Sequence, residues 1–263
     1  MNLHLKGKKA IVTGGSAGIG LAIAQLLAEE GVEVTIPGRS AKKIDEILAK
    51  LPAEILSSIS AVEADLTNAE GVKTLAAAVP ETDILVNNLG IYDSKEFGAI
   101  DDETWFRYFE TNVMSGVRLS RHYFPGMLKR NEGRIVFISS EAGAEIHPDM
   151  IHYGVTKTSQ LALSRGLAEL TKGTKVTVNS VLPGPTRSET VDTYMKEWVG
   201  KPDATSEEVE KIFFEKRFPG SLLQRMAENR EVASLVAYLA SPLAAATNGA
   251  VLRAEGGILP TLF

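Results

Sequence analysis

The sequence predicts an α/β fold. It reads as one domain over residues 1–263, built on a seven-stranded, mostly parallel, doubly wound sheet with helices on both faces. Three observations carry this. A glycine-rich turn, Gly14 to Gly20, joins an apolar strand to an apolar-striped helix, and a second strand follows at once. Short apolar runs then alternate with helical patterns to the end of the chain. No repeat, low-complexity stretch or linker divides the 263 residues, a length that supports a core of full size.

The first strand is Lys9 to Thr13. The turn Gly14-Gly15-Ser16-Ala17-Gly18-Ile19-Gly20 leads into a helix, Leu21 to Glu30, whose stripe is Ile23, Leu26 and Leu27; Gly31 ends it. Val32 to Ile36 is the next strand, which makes a βαβ unit. Strand, glycine turn and helix aim free N–H groups and a positive dipole end at a phosphate. Gly15 to Gly20 has P-loop spacing, but Leu21-Ala22 stands where Lys and Ser/Thr are required. Gly14 to Gly18 also matches G-x-S-x-G, yet only 13 residues precede it and no histidine follows His152. A Rossmann-type dinucleotide site remains, beside a purely structural turn. The second strand leads into Gly38-Arg39-Ser40, with no carboxylate to repel a 2′-phosphate and Arg39 able to grip one. That favours NADP over NAD; the other reading is a surface arginine in a turn.

Ser40 to Lys50 reads as a helix stopped before Pro52. Ser60 to Ala64 is a strand ending at Asp65-Leu66, and Thr67 with Glu70 forms a capping box for a helix to Val79. The strand Asp83 to Val86 ends in Asn87-Asn88-Leu89-Gly90, whose asparagines can bridge strands or bond a ligand. Asp101 caps a long helix from Asp102 to Arg130, with a kink expected at Pro125 and Asn112 on the wet face. Its Trp105, Phe106 and Phe109 read as packing or subunit contacts. Arg134 to Ile138 is the fifth strand, and Ser139-Ser140 stands at its C-terminal end, where open α/β sheets place ligand chemistry.

The next helix has Tyr153-Gly-Val-Thr-Lys157 at its front and runs to about Thr171. Tyr153 and Lys157 lie one turn apart on one face. An adjacent ammonium lowers a phenol's pKa, so the pair suits acid/base work; otherwise it is an ordinary exposed face. Val176 to Leu182 is the sixth strand, broken by Pro183-Gly184-Pro185. Residues 187–220 turn charged and aromatic, with a capping box at Thr205 and Glu208. Tyr194, Met195, Trp198, Phe213, Phe214 and Phe218 either line a pocket, making this a substrate-binding lid, or belong to two packed surface helices. A helix from Glu231 to Leu239 and a strand from Ala250 to Arg253 precede Glu255-Gly256-Gly257.

Formal charge is −5, against a broad nucleic-acid surface. The absence of cysteine excludes disulfides and thiolate metal sites, and the four histidines show no metal-ligand spacing. With no secretory apolar stretch and no run of membrane-spanning length, the expected compartment is the cytosol.

Taken together, Thr13-Gly14-x-x-x-Gly18-x-Gly20, Asp65, Asn87-Asn88-Leu89-Gly90, Asn112, Ser140, Tyr153, Lys157, Asn179, Pro183-Gly184, Thr186 and Glu255-Gly256-Gly257 resemble the classical short-chain dehydrogenases/reductases, from roughly Leu3 to Ile258. Leu89 replaces the usual Ala. The resemblance implies a catalytic tetrad of Asn112, Ser140, Tyr153 and Lys157. Tyr153 would be the acid/base, Ser140 would hold the reacting oxygen, and Asn112 would anchor a water leading from Lys157. It implies cofactor contacts from Gly14, Ser16, Gly18, Ile19, Gly20, Arg39, Asp65, Leu66, Asn88, Gly90, Tyr153, Lys157, Pro183, Gly184 and Thr186, and no metal. The activity implied is hydride transfer between a nicotinamide, NADP preferred, and a small carbonyl or secondary alcohol. It also implies a homo-oligomer, dimer or tetramer, formed through long helices and the apolar tail Leu259–Phe263. Two alternatives stand beside this. One is a 3-oxoacyl-thioester reductase that docks an acyl carrier on Arg118, Arg121, Lys129 and Arg130. The other is a non-catalytic NADP sensor or scaffold, which requires a broken tetrad.

Overall fold

Seven strands form one sheet: β1 (Lys9–Val12), β2 (Glu33–Gly38), β3 (Ile59–Glu63), β4 (Ile84–Asn87), β5 (Arg134–Ile138), β6 (Thr177–Pro183) and β7 (Val251–Ala254). In this computed structural model they lie in the order β3-β2-β1-β4-β5-β6-β7. Every neighbouring pair is parallel, so the sheet is wholly rather than mostly parallel. Residues 2–201 and 203–262 are described; Met1, Pro202 and Phe263, the last two within the expected lid and tail, lie outside the described residues. Sequence order reverses between β1 and β4, and open sheets form a crevice at such a point, beyond the strands' C-terminal ends.

Alternate side chains along each strand feed opposite faces. Val12 and Val86 pack with α1 (Gly18–Glu29) and α10 (Asn229–Ala240), against Ile23, Leu27, Val232 and Val236. Ile11 and Leu85 point the other way, into a cluster with Leu75 of α4 (Ala69–Ala78), Leu119 and Tyr123 of α6 (Ser115–Arg130), and Leu163 of α7 (Ile151–Glu169). A third cluster, Met195, Val209, Phe213, Phe214 and Phe218, joins α8 (Glu189–Val199) to α9 (Ser206–Arg217). Each side chain fully buried in these clusters contributes about 1.5–3 kcal/mol.

Local differences from the sequence expectation have physical causes. The helix expected over 40–50 is α2 (Ala41–Leu48), capped by Ser40, and a short α3 (Ala53–Leu56) follows. The box at Thr67 and Glu70 does not form. Thr67 donates from N and Oγ1 to Asp65 Oδ1 at 3.1 and 2.8 Å, so Asn68 caps α4 by accepting from Gly71 N at 2.9 Å. A Cβ on Gly71 would lie 1.9 Å from Asp65 O, so the helix starts there only with glycine. The long helix expected over 102–130 is α5 (Asp102–Tyr108), a π-helical segment (Phe109–Met114) and α6. Its irregularity falls at the π segment, and Pro125 sits inside α6. The Thr205–Glu208 box is present, and α10 begins with a second one at Glu228 and Glu231.

Candidate active site

A cavity of about 350 Å³ lies at the C-terminal ends of the strands, across the order reversal. One end is walled by Gly14, Gly18, Ile19 and Gly20, the middle by Asn88, Leu89, Gly90, Pro183, Gly184 and Thr186. The far end is walled by Ser140, Glu141, His147 and Tyr153, with Tyr194, Phe213, Arg217 and Phe218 of α8, α9 and the residue after them closing it. The aromatic residues of 187–220 therefore do more than pack two surface helices.

The glycine end is shaped for a close backbone approach. Gly14 and Gly18 adopt φ of +61° and +51°. A Cβ on Gly20 would lie 2.2 Å from Gly14 O and 2.5 Å from Asn88 Nδ2. Helix α1 has Ala17 at its N-cap and no side-chain cap, which leaves its first N–H groups for a ligand. Asn229 Oδ1, also on this wall, is buried without a partner. Cradle, uncapped helix end and orphaned polar atom together fit a phosphate-bearing cofactor. Asn88 takes the bridging role: its N donates to Thr13 Oγ1 at 2.8 Å and its Nδ2 to Thr13 O and Gly14 O at 3.0 and 3.2 Å.

Five residues expected at the cofactor do not line this cavity: Lys157, buried behind it, and four that stand off it. Ser16 is half-buried in the loop, Asp65 is occupied by Thr67, Leu66 is in the core, and Arg39 is exposed after β2. The expectation that no carboxylate stands beside Arg39 is corrected. Register pairs Gly38 with Glu63, and Glu63 Oε2 accepts from Ala41 N at 3.3 Å. Asn179 is spent on structure: Nδ2 donates to Thr247 O at 2.8 Å and Oδ1 accepts from Ala250 N at 3.0 Å.

At the other end, Tyr153 is half-buried with its ring edge-on to Tyr92, and Lys157 Nζ lies 5.6 Å from the Tyr153 ring centroid. Buried Lys157 donates to Ile138 O at 2.9 Å and Gln160 Oε1 at 3.3 Å. Desolvation, then the Glu141 charge, hold the Tyr153 phenol well above its ordinary pKa, with a Ser140 hydrogen bond opposing. Desolvation, not the neighbouring ammonium, sets the direction of the shift. Desolvation brings Lys157 down to about 8, against the pull of Glu141.

Asn112 is buried rather than on the wet face, because the π segment turns it inward. Its Oδ1 accepts from Ile91 N at 2.8 Å, and Nδ2 donates to Ile91 O and Thr156 Oγ1, both at 3.0 Å. Gln160 Nε2 donates to the Asn112 carbonyl at 2.5 Å. A side-chain amide thus links Lys157 to Asn112, where the resemblance implies an anchored water.

Three residues here were given no role of their own by the sequence reading: Gln160, and Glu141 and His147, which fall in the stretch 141–152 that it expected to help shape the substrate pocket. Ser140 Oγ donates to Glu141 Oε2 at 2.5 Å, and Glu141 Oε1 lies 3.7 Å from His147 Nε2. The available signal was position, since Glu141 follows Ser139-Ser140 beyond the end of a strand, and Gln160 follows Lys157 by three on one helix.

Known proteins are similar to this chain over nearly its whole length. The family model described as short chain dehydrogenase matches residues 8–198. Uncharacterized oxidoreductase YvaG of Bacillus subtilis (strain 168) is 46% identical over 100% of both chains. The 3-oxoacyl-[acyl-carrier-protein] reductase FabG of Vibrio cholerae is 32% identical, covering 97% of this chain and 99% of its own. The structure of L-sorbose reductase from Gluconobacter frateurii, complexed with NADPH and L-sorbose, superposes with a TM-score of 0.91 over 100% of both chains at 28% identity.

Proposed function

The chain belongs to the short chain dehydrogenase family, and on that premise we propose that it is an NADP-dependent reductase of a small carbonyl compound, reversible as a dehydrogenase of the secondary alcohol. One observation carries the reading: Ser140 and Tyr153 share a single cavity with the glycine loop, and Lys157 is buried behind them. A nicotinamide held in this cavity supplies the hydride. Tyr153, a phenol that keeps its proton at physiological pH, has one to give to the substrate oxygen. Ser140 shares the charge developing on that oxygen. Lys157 stabilises the phenolate left behind, and Gln160 and Asn112 hold its ammonium in place.

Arg39 supports the NADP preference, being exposed after β2 with no hydrogen bond or ion pair among the described residues, and the similar L-sorbose reductase was solved with NADPH. Exposed Phe106 on α5 and Leu170 at the end of α7 support assembly as a dimer or tetramer. No helix among the described residues is long and apolar enough to cross a membrane. The acyl-carrier reading, favoured by the Vibrio cholerae relative, needs a free basic patch. Arg118 is instead paired with Glu110 at 2.6 Å and Arg130 with Glu81 at 3.5 Å, which weakens it. Following reduced-cofactor absorbance, with NADPH beside NADH over a carbonyl panel, tests the proposal. NADPH oxidation that depends on a carbonyl supports it; no turnover of any carbonyl or alcohol with either cofactor overturns it.

A further inference from the structure

Ser140 has one hydroxyl proton, for which Glu141 and the Tyr153 oxygen compete, and Glu141 holds it. The Oγ donates to Glu141 Oε2 at 2.5 Å and accepts from Ala142 N at 3.1 Å. A carbonyl oxygen only accepts, so Ser140 cannot serve it while that proton is held by the carboxylate. Tyr153 would then be alone in stabilising the oxygen. Releasing Ser140 requires another donor for Glu141.

Among the described residues, Ser140 is the side-chain donor to Glu141. Glu141 is buried, and a carboxylate leaving its hydrogen bond without a replacement incurs a desolvation penalty. His147 Nε2 is 3.7 Å from Glu141 Oε1, beyond hydrogen-bond distance, and is buried without a hydrogen-bond partner. Both side chains face the cavity beside Ser140 and Tyr153. A ligand hydroxyl between them has what both lack: a proton for the carboxylate and a second polar contact for the imidazole.

We infer that Glu141 and His147 form a hydroxyl-recognition subsite, so that the substrate is a ketone or aldehyde bearing a hydroxyl beside its carbonyl. This rests on the reductase reading above and names its substrate class. Binding such a substrate hands Glu141 a new donor and turns Ser140 toward the reacting oxygen. The hydroxyl is not consumed. The carbonyl carbon gains the hydride, its oxygen gains the Tyr153 proton, and the nicotinamide is oxidised, giving a vicinal diol. A plain ketone leaves Ser140 engaged with Glu141 and reacts slowly.

The test pairs 1-hydroxy-2-butanone with 2-butanone, using wild type, Glu141→Ala and Glu141→Gln. Wild type should favour the hydroxy ketone in kcat/KM by at least about tenfold, as sites that hydrogen-bond a substrate hydroxyl do. In Glu141→Ala the ratio should collapse, through a fall for the hydroxy ketone and a rise for 2-butanone as Ser140 is released; Glu141→Gln, whose amide oxygen still accepts, should lower the ratio less. General damage to the fold would lower both values together, so it is the change in their ratio that reports the subsite. Calorimetry with 1,2-butanediol and 2-butanol provides a readout independent of turnover; the diol should bind more tightly to wild type and lose that advantage in Glu141→Ala. Equal kcat/KM for the two ketones in wild type, or an unchanged preference in Glu141→Ala, overturns this inference and leaves the reductase reading intact. Reduction of neither ketone, with Glu141-dependent binding of the diol, overturns the reductase reading and keeps the subsite. Neither reduction nor diol binding overturns both.

Discussion

Gln160 Oε1 lies 3.3 Å from Lys157 Nζ, and the other end of the same amide donates to the Asn112 carbonyl at 2.5 Å. All three residues are buried. Gln160 therefore ties a desolvated ammonium to the π segment of the preceding long helix, and fixes how Lys157 stands toward Tyr153. Gln160→Leu leaves Lys157 with Ile138 O as its acceptor and disfavours its charged form. Loss of about 1 kcal/mol of hydrogen bonding would lower the Lys157 pKa by roughly 0.7 unit. The decline of kcat at alkaline pH should begin earlier by about that amount. A pH–rate profile that superposes on wild type would show that the bridge does not tune Lys157.

Burial of Lys157 should be visible in stability. Its folded pKa is depressed from 10.5 to about 8, so between those values the unfolded chain binds more protons, and stability attributable to this group rises with pH across that window. The full depression corresponds to about 3 kcal/mol at most. Lys157→Met removes the titration. The difference in unfolding free energy, wild type minus variant, should move toward wild type by up to about 3 kcal/mol between pH 7 and 10.5. Urea unfolding at both pH values measures it; parallel stability curves would contradict the depressed pKa.

Arg39 and Glu63 should pull cofactor choice in opposite directions. Arg39→Ala removes charge-assisted bonds to a 2′-phosphate and should weaken NADPH binding about tenfold or more, with little effect on NADH. Glu63→Gln removes the carboxylate at Ala41 N and should tighten NADPH a few-fold. Dissociation constants for both cofactors, from quenching of intrinsic fluorescence, decide this. Equal losses of NADPH and NADH affinity in Arg39→Ala would rule out discrimination by this arginine.

The strand–turn–helix opening and the seven strands were legible because the apolar runs are short, regular and punctuated by glycine and proline. Tyr153 and Ser140 were legible too, since helical spacing and the end of a strand place them without tertiary knowledge. Thr67 was misread as a cap because a capping box is a local pattern, whereas Asp65 competes for the same hydroxyl. Asn112 was placed on the wet face because an α-periodicity cannot register a π segment. Glu63 entered the Arg39 neighbourhood only through strand register. The raised Tyr153 pKa was hidden for a similar reason. The sequence shows an ammonium one turn away, while desolvation and Glu141 come from the fold.

The account rests on Tyr153 as the proton donor, and Tyr153→Phe tests it most directly. The ring is kept and only the hydroxyl is lost. Carbonyl-dependent NADPH oxidation should fall at least about a hundredfold, the scale of a lost general acid, while the NADPH dissociation constant stays within a few-fold of wild type. Turnover by Tyr153→Phe close to the wild-type rate would contradict the assignment.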